Sequence, residues 1–187
     1  MIRRATPEDL QLIARTLGRA FVDDPAYIAM LPTDREARTA KVLRRILEVA
    51  YLAKNEIWVS DDLRAVAVWA PPRQWKISIA KQLRLVPLAA IIGSRSILAL
   101  RILNGIAARH PPGDHHYLAF LGVDPEAQGQ GLGSRVLAPV FERGGGFYLE
   151  TTNPKNHGFY RRHDFAPIDT VSLPAGVSAT LMMRDRR

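Results

Sequence analysis

The chain has 187 residues, 47% hydrophobic and 24% charged, which is enough for one domain with a buried core and ordinary for a globular protein. It contains no cysteine, so a disulfide framework, a thiolate metal site and a cysteine nucleophile are all excluded. The net charge of +8 is unevenly placed: Arg73 to His110 holds seven Lys or Arg and no Asp or Glu, a balance that favours an anionic partner such as a phosphate-rich cofactor, nucleic acid or a membrane surface.

In chain order, Ile2–Ala5 reads as a short strand. Thr6-Pro7-Glu8-Asp9 then opens a helix, with Thr6 as N-cap, Pro7 at its first position and acids in the first turn. Leu10, Ile13, Leu17 and Phe21 recur at helical spacing and predict its core face. Asp23-Asp24-Pro25 ends it, because the residue before a proline avoids the α region. Asp34 is placed to cap a second helix with a stripe of Leu43, Ile46, Leu47 and Ala50. Ile57–Ser60 and Ala65–Ala70 read as a hairpin, stopped by Pro71-Pro72. Residues 73–109 read as helical pieces broken near Pro87 and Gly93.

Tyr117–Val123 is a near-continuous apolar run, expected of a strand buried on both faces. A glycine-rich turn follows, then a helix carrying Val136, Leu137 and Val140, ended by Gly144-Gly145-Gly146. Phe147–Thr152 is a strand, Asn153–His163 a short helix or loop-helix, and Phe165–Leu173 and Val177–Met183 two closing strands. No internal repeat or linker is visible, so residues 1–187 are expected to form a single domain with a helical insert at about 73–110. The order of elements mixes antiparallel hairpins with one parallel crossover, an α+β arrangement in three layers. The start lacks the apolar segment of a signal peptide, and the longest uncharged apolar run, Leu85–Gly93, is too short to span a bilayer. A soluble, cytoplasmic protein is expected.

The chemistry is concentrated in Leu121-Gly122-Val123-Asp124-Pro125-Glu126-Ala127-Gln128-Gly129-Gln130-Gly131-Leu132-Gly133-Ser134. A strand enters a loop of alternating glycines and leaves as a helix. Glycines permit close backbone approach to an anion, and the free N–H groups and dipole of the helix start attract it. No lysine follows the last glycine, so the pattern is not a P-loop. Ser134 stands where a dinucleotide fingerprint needs its third glycine.

Gln128-x-x-Gly131-x-Gly133 resembles the pyrophosphate loop of the GNAT acetyltransferases. With Tyr148-Leu149-Glu150-Thr151-Thr152-Asn153-Pro154-Lys155-Asn156, Phe159-Tyr160 and Phe21-Val22-Asp23-Asp24-Pro25, the chain is similar to the puromycin N-acetyltransferase-like branch, most strongly over residues 115–165. The resemblance implies the three-layer α/β/α GNAT fold with a mixed, mostly antiparallel sheet. It implies an acetyl-CoA-dependent N-acetyltransferase that moves an acetyl group directly onto a primary amine of a small molecule, with no metal. It also implies that backbone groups of Leu121, Gly122 and Val123 pair with the pantetheine arm. Gln128, Gly129, Gln130, Gly131, Leu132, Gly133 and Ser134 would then hold the pyrophosphate, with Asn156 and Phe159 beside the cofactor and Tyr160 as general acid to the departing thiolate.

The general base is less legible. The central strand, Tyr117-Leu118-Ala119-Phe120, has no carboxylate, so Glu150 is the candidate, ahead of Asp23, Asp24, His115 and His116. Asp164 stands where the family usually has a glycine, at a position expected to need positive φ. The basic insert, with Trp75, suggests an acidic or carboxylate-bearing amine. Neither nucleic acid nor a membrane is expected as a partner, and the state is expected to be monomer or homodimer. The alternatives are a non-catalytic acyl-CoA-binding regulatory module and a basic binder of nucleic acid or membrane surfaces.

Overall fold

The strand with the strongest burial is β3, Ala65–Ala70, in which every residue is buried. Its alternate side chains serve two cores: Val66, Val68 and Ala70 pack on one face, Ala65, Ala67 and Trp69 on the other, as the two-residue period of a strand requires. A central strand covered on both faces is how this sequence builds three layers. The computed structural model of the protein describes residues 1–185.

Around β3 the sheet contains β1 (Ile2–Arg4), β2 (Ile57–Ser60), β4 (His115–Val123), β5 (Gly146–Thr151), β6 (Ala166–Ser172) and β7 (Ser178–Arg184). The spatial order is β1-β2-β3-β4-β5-β7-β6. Among the described residues only β4 and β5 pair in parallel; the other five pairings are antiparallel. The mixed, mostly antiparallel sheet expected from the sequence is therefore present.

On one face lie α1 (Leu10–Ala20) and α3 (Arg35–Ile46), which continues into a π-helical turn over Leu47–Tyr51. Their Leu10, Ile13, Leu17, Leu43 and Leu47 cover Val59, Val66 and Val68. The two helices cross closely at Gly18, where a Cβ would lie 2.6 Å from the Glu36 carbonyl oxygen. On the opposite face α7 (Leu132–Phe141) and α8 (His157–Arg162) bring Val136, Leu137, Val140 and Tyr160 against Ala65, Ala67, Phe147 and Leu149.

After Asp24 the chain forms a short helix, α2 (Pro25–Met30), whose start is capped by the Asp24 carboxylate accepting from the Ala26 and Tyr27 N–H groups. Two local expectations need correction. Asp34 occupies the start of α3 in a left-handed conformation and makes no side-chain cap. Strand β4 is only half-buried over Ala119–Leu121, because one of its edges is open there. The positive φ expected at Asp164 is found, at 64°.

The insert forms α4 (Ile79–Leu85), α5 (Leu88–Ile92) and α6 (Ser96–Ala107). It docks through buried Leu88, Ala99 and Ile102 and through Arg38, whose guanidinium donates to the Ile91 and Ile92 carbonyls at 2.8–3.1 Å. The helical stretch Leu88–Ala107 is long and apolar enough to cross a membrane by length and composition, a point missed by counting only uncharged residues.

Candidate active site

The site begins where two parallel strands part. β4 and β5 pair only from His115↔Gly146 to Leu118↔Leu149. Beyond that, β4 stays with β3 up to Val123, while β5 stays with β7 up to Thr151. The β4 partner of β3 jumps from Phe120 to Leu118 between Val68 and Trp69, so Ala119 is an extra, bulged residue. A bulge twists and re-aims the strand that carries it. Leu121, Gly122 and Val123 thus lie on the free arm of a V, with one backbone edge paired to β3 and the other facing the opening. Gly122 lets α1 lie against that arm: a Cβ there would meet Leu17 Cδ2 at 2.7 Å and Ala20 Cβ at 3.1 Å.

The glycine loop follows at the tip of the arm. Gln128, Gly129, Gln130 and Gly131 are exposed, and Leu132 and Gly133 turn inward as α7 begins. Gly131 is the residue before the helix, at φ 75°, a conformation costly for residues with a side chain. A Cβ at Gly129 or Gly131 would meet nothing within 4 Å, so this backbone faces open space. The Leu132, Gly133 and Ser134 N–H groups precede the first helical bond, from Arg135 N–H to the Gly131 carbonyl at 3.1 Å, and are available to an anion. The arrangement fits the diphosphate of a CoA thioester.

Neighbouring contacts hold the loop in place. Gln128 Nε2 donates to the Val123 carbonyl at 3.2 Å, and Ser134 Oγ lies 2.9 Å from His163 Nε2. Asp124 accepts from the Glu126 N–H and pairs with Arg19 at 2.7 Å, while Arg19 also reaches Glu126 at 2.8 Å. This tethers α1 to the loop.

Helix α8 crosses behind α7. A Cβ on Gly133 would sit 3.2 Å from the Phe159 ring, so the glycine permits this close contact. Phe159 is half-buried and Tyr160 is buried, packed edge-on against Phe159 and Phe165. Asn156 precedes α8 but its side chain makes no cap, which leaves the amide uncommitted to the helix. Burial, reinforced by the Asp24 charge, pushes the Tyr160 phenol above its ordinary value. Asp24 itself is buried, accepts from Thr152 Oγ1 at 2.7 Å, and has its carboxyl pushed up by burial. Sequence reasoning treats it as a turn residue. A cavity of about 200 Å³ lies at this end of β5, lined by Pro25, Thr151, Thr152, His157, Ser178 and Thr180 among others.

Glu150 lies on the other arm, on the side of β5 away from α8. Burial first, and the Glu150 charge second, hold the Tyr51, Tyr117 and Tyr148 phenols well above their ordinary range. His110 Nδ1 stands 3.6 Å from Glu150 Oε1. The same ring stacks on Trp75 at 3.8 Å between centroids, and its Nε2 is 2.9 Å from His115 Nε2. Sequence reasoning misses His110, which ends the insert and carries no motif; only its place beside Pro111-Pro112, at the return into β4, could draw attention to it. His115 is buried in this cluster, His116 points to the other face and stacks on Phe147, and Asp23 is exposed. One polar atom of the cluster, His115 Nδ1, is buried without a partner among the described residues, the kind of exception that marks functional ground.

The basic side chains of the insert do not join in. Lys76, Arg84, Arg95 and Arg101 are exposed, and the insert reaches Glu150's surroundings through Trp75 and His110. Among the described residues no group of three or more His, Asp or Glu is arranged to hold a metal.

Residues 94–167 match a family model described as the acetyltransferase (GNAT) domain. An uncharacterized N-acetyltransferase of Schizosaccharomyces pombe is 26% identical over 91% of this chain and 76% of its own length. A crystal structure from Corynebacterium glutamicum, named as histone acetyltransferase HPA2 and related acetyltransferase, is 24% identical with a TM-score of 0.76 and covers 100% of this chain and 96% of that one. An N-acetyltransferase structure from Staphylococcus aureus Mu50 is 15% identical with a TM-score of 0.69, over 98% and 99% of the two chains. These two structures share the fold.

Proposed function

We propose that this chain, whose residues 94–167 match the acetyltransferase (GNAT) domain model, is an acyltransferase that moves the acetyl group of acetyl-CoA directly onto a primary amine of a small molecule. The observation that carries the reading is the parting of β4 and β5 after Leu118 and Leu149, with the glycine loop at the tip of one arm and Glu150 on the other. Placement in the puromycin N-acetyltransferase-like branch belongs to the same proposal and rests on the Tyr148–Asn156 run and Phe159-Tyr160.

In this reading the Leu132, Gly133 and Ser134 N–H groups receive the diphosphate, and the free backbone edge of Leu121–Val123 takes the pantetheine arm as an added strand would. Asn156 and Phe159 flank it. Glu150 takes one proton from the bound ammonium to free its lone pair; the neutral nitrogen then bonds to the acyl carbon and sheds its second proton to solvent as the carbon–sulfur bond breaks, with the Tyr160 hydroxyl directed at the departing sulfur. A phenol pushed upward is a poor match for full transfer to a thiolate whose acid titrates near ~8.5. Tyr160 therefore acts chiefly by donating a hydrogen bond to the developing charge, and solvent supplies the final proton.

The acceptor approaches a site lined by tyrosines and two withdrawn carboxylates, Glu150 and Asp24, so its ammonium form is attracted there. This replaces the expectation of an acidic acceptor, which rests on the insert. The test is calorimetric titration with acetyl-CoA and CoA, followed by an amine screen read as thiol release. Binding with amine-dependent thiol release is the expected result. Binding without turnover on any amine would favour a regulatory acyl-CoA-binding module, and no binding would end the acyltransferase mechanism altogether.

A further inference from the structure

The insert carries two outward apolar stripes that are mostly exposed. On α4 the stripe is Ile79 with Leu83, one turn on, and Val86, the residue that ends the helix; on α6 it is Ile97, Leu100 and Leu103. These six side chains are 53–76% exposed. The spacing is that of one face of a helix in each case. The inner residues, Leu88, Ala99 and Ile102, are already spent on docking. Scattered exposed apolar residues are ordinary, but aligned stripes within one basic segment mark an interaction surface.

Charge selects the occupant. From Arg73 to His110 there are seven cations and no acid. Arg73 and Arg109 pair with Asp114 and Asp169, whereas Lys81, Arg84, Arg95 and Arg101 make no ion pair among the described residues. A second copy of the chain would bring the same cations face to face across a two-fold axis, where like charges repel. A nucleic acid would use the cations but leave the aliphatic stripes exposed, and the stripes contain no aromatic platform for bases. A bilayer with anionic lipid satisfies both features.

We propose that α4–α6 dock the enzyme peripherally on an anionic membrane surface, with the Ile79–Val86 and Ile97–Leu103 stripes entering the acyl boundary and the unpaired cations meeting lipid phosphates. Although Leu88–Ala107 has the length and composition of a span, it lies on the surface and does not cross, because its Ala99–Ile102 side is held by the fold and Arg95 and Arg101 interrupt it. The inference departs from the expectation of no membrane partner. It is independent of the amine accepted.

The experiment is co-sedimentation of the full chain with phosphatidylcholine vesicles, with and without phosphatidylserine. Two variants accompany it: Ile97→Ser/Leu100→Ser/Leu103→Ser and Arg95→Gln/Arg101→Gln. All five positions are exposed, and circular dichroism checks that both variants fold. Binding to the anionic vesicles alone is expected, weakened at least about tenfold by the serine variant and about fivefold per charge by the glutamine variant. Binding that the serine variant leaves unchanged would overturn the proposal. So would a self-associating chain that ignores vesicles in sedimentation velocity, or salt-sensitive binding to DNA with none to vesicles.

Discussion

His110 Nδ1 lies 3.6 Å from Glu150 Oε1, and both side chains are withdrawn from solvent, 2% and 8% exposed. The pairing has a direction. Burial, with His110 nearby, holds the His115 imidazole down to about 4, so His115 is neutral at pH 7 and carries one proton. Its Nδ1 is buried without a partner, and a buried N–H with no acceptor is costlier than a bare ring nitrogen. The proton therefore belongs on Nε2, donated across 2.9 Å to His110 Nε2. The accepting His110 Nε2 bears no hydrogen, which leaves the His110 proton on Nδ1, aimed at Glu150. The tautomers are assigned from this network. His110 is a positioning residue for the candidate base, fixed by Trp75 on one side and His115 on the other.

Glu150→Gln keeps the shape and removes the base, and is expected to lower kcat by about 10²–10⁴-fold. Asp24→Asn is the control. The Asp24 Oδ1 that receives Ala26, Tyr27 and Thr152 is retained as an amide oxygen in asparagine, so most of the rate should persist. If Asp24→Asn proves the more damaging, steady-state kinetics will have assigned the base to Asp24 instead.

His110→Phe preserves an aromatic ring on Trp75 but offers Glu150 no donor. The expected outcome is a lower kcat with KM for acetyl-CoA unchanged. A loss of melting temperature with kcat unchanged would reduce His110 to a packing residue.

Gly131→Glu and Tyr160→Phe separate binding from chemistry. The first adds a negative charge and a positive-φ strain where the diphosphate would lie, and calorimetry should find CoA affinity lost. The second leaves the loop intact, so CoA should bind as before while turnover falls strongly. Unchanged turnover would mean that the sulfur leaves without help from the phenol.

The parts legible in the sequence are those whose cause is local. The stripe Leu10-Ile13-Leu17, the hairpin around Asp61–Arg64 and the glycine loop each follow from spacing within a dozen residues, and each is found. Glu150 needs only the alternation of β5. What stays illegible depends on tertiary placement. Asp24 reads as a turn residue until β5 brings Thr152 to it across 128 positions. His110 acquires a role only because the insert returns beside Trp75. The half-burial of β4 over Ala119–Leu121 arises from the divergence of β5, which no property of β4's own residues records. The exposed face of α6 also escapes, since an apolar helix reads as core until its neighbours are known.

Gly18→Ala tests the crossing that seats α1 over the loop arm. The added methyl would meet the Glu36 backbone oxygen at 2.6 Å, and neither helix backbone yields cheaply, so overpacking should cost about 1–3 kcal/mol despite alanine's better helix propensity. Urea unfolding measures it; a stabilised variant would show that α1 and α3 separate freely.

The acid limit of stability is expected to run through Asp9. Its carboxylate accepts from Arg3 at 2.6 and 2.9 Å and from the Thr6 N–H at 2.8 Å, and the Arg3 guanidinium, with the Thr6 N–H, holds the carboxyl down to about 2. In the unfolded chain an aspartate titrates near ~3.9. The folded value is the lower of the two, so the unfolded state binds the proton more readily. The contribution is therefore complete above about pH 5 and is lost as pH falls from there through about 2. Arg3→Ala removes the main cause and should raise the acid unfolding midpoint measured by circular dichroism, while stability at pH 7 falls. Asp9→Asn cannot titrate, so this variant should start less stable at pH 7 and lose less on acidification between pH 5 and 2. An acid transition of unchanged slope in Asp9→Asn would place the sensitive carboxylate elsewhere, with Glu56, held low against its own burial by Arg143 and Trp58, the next to examine.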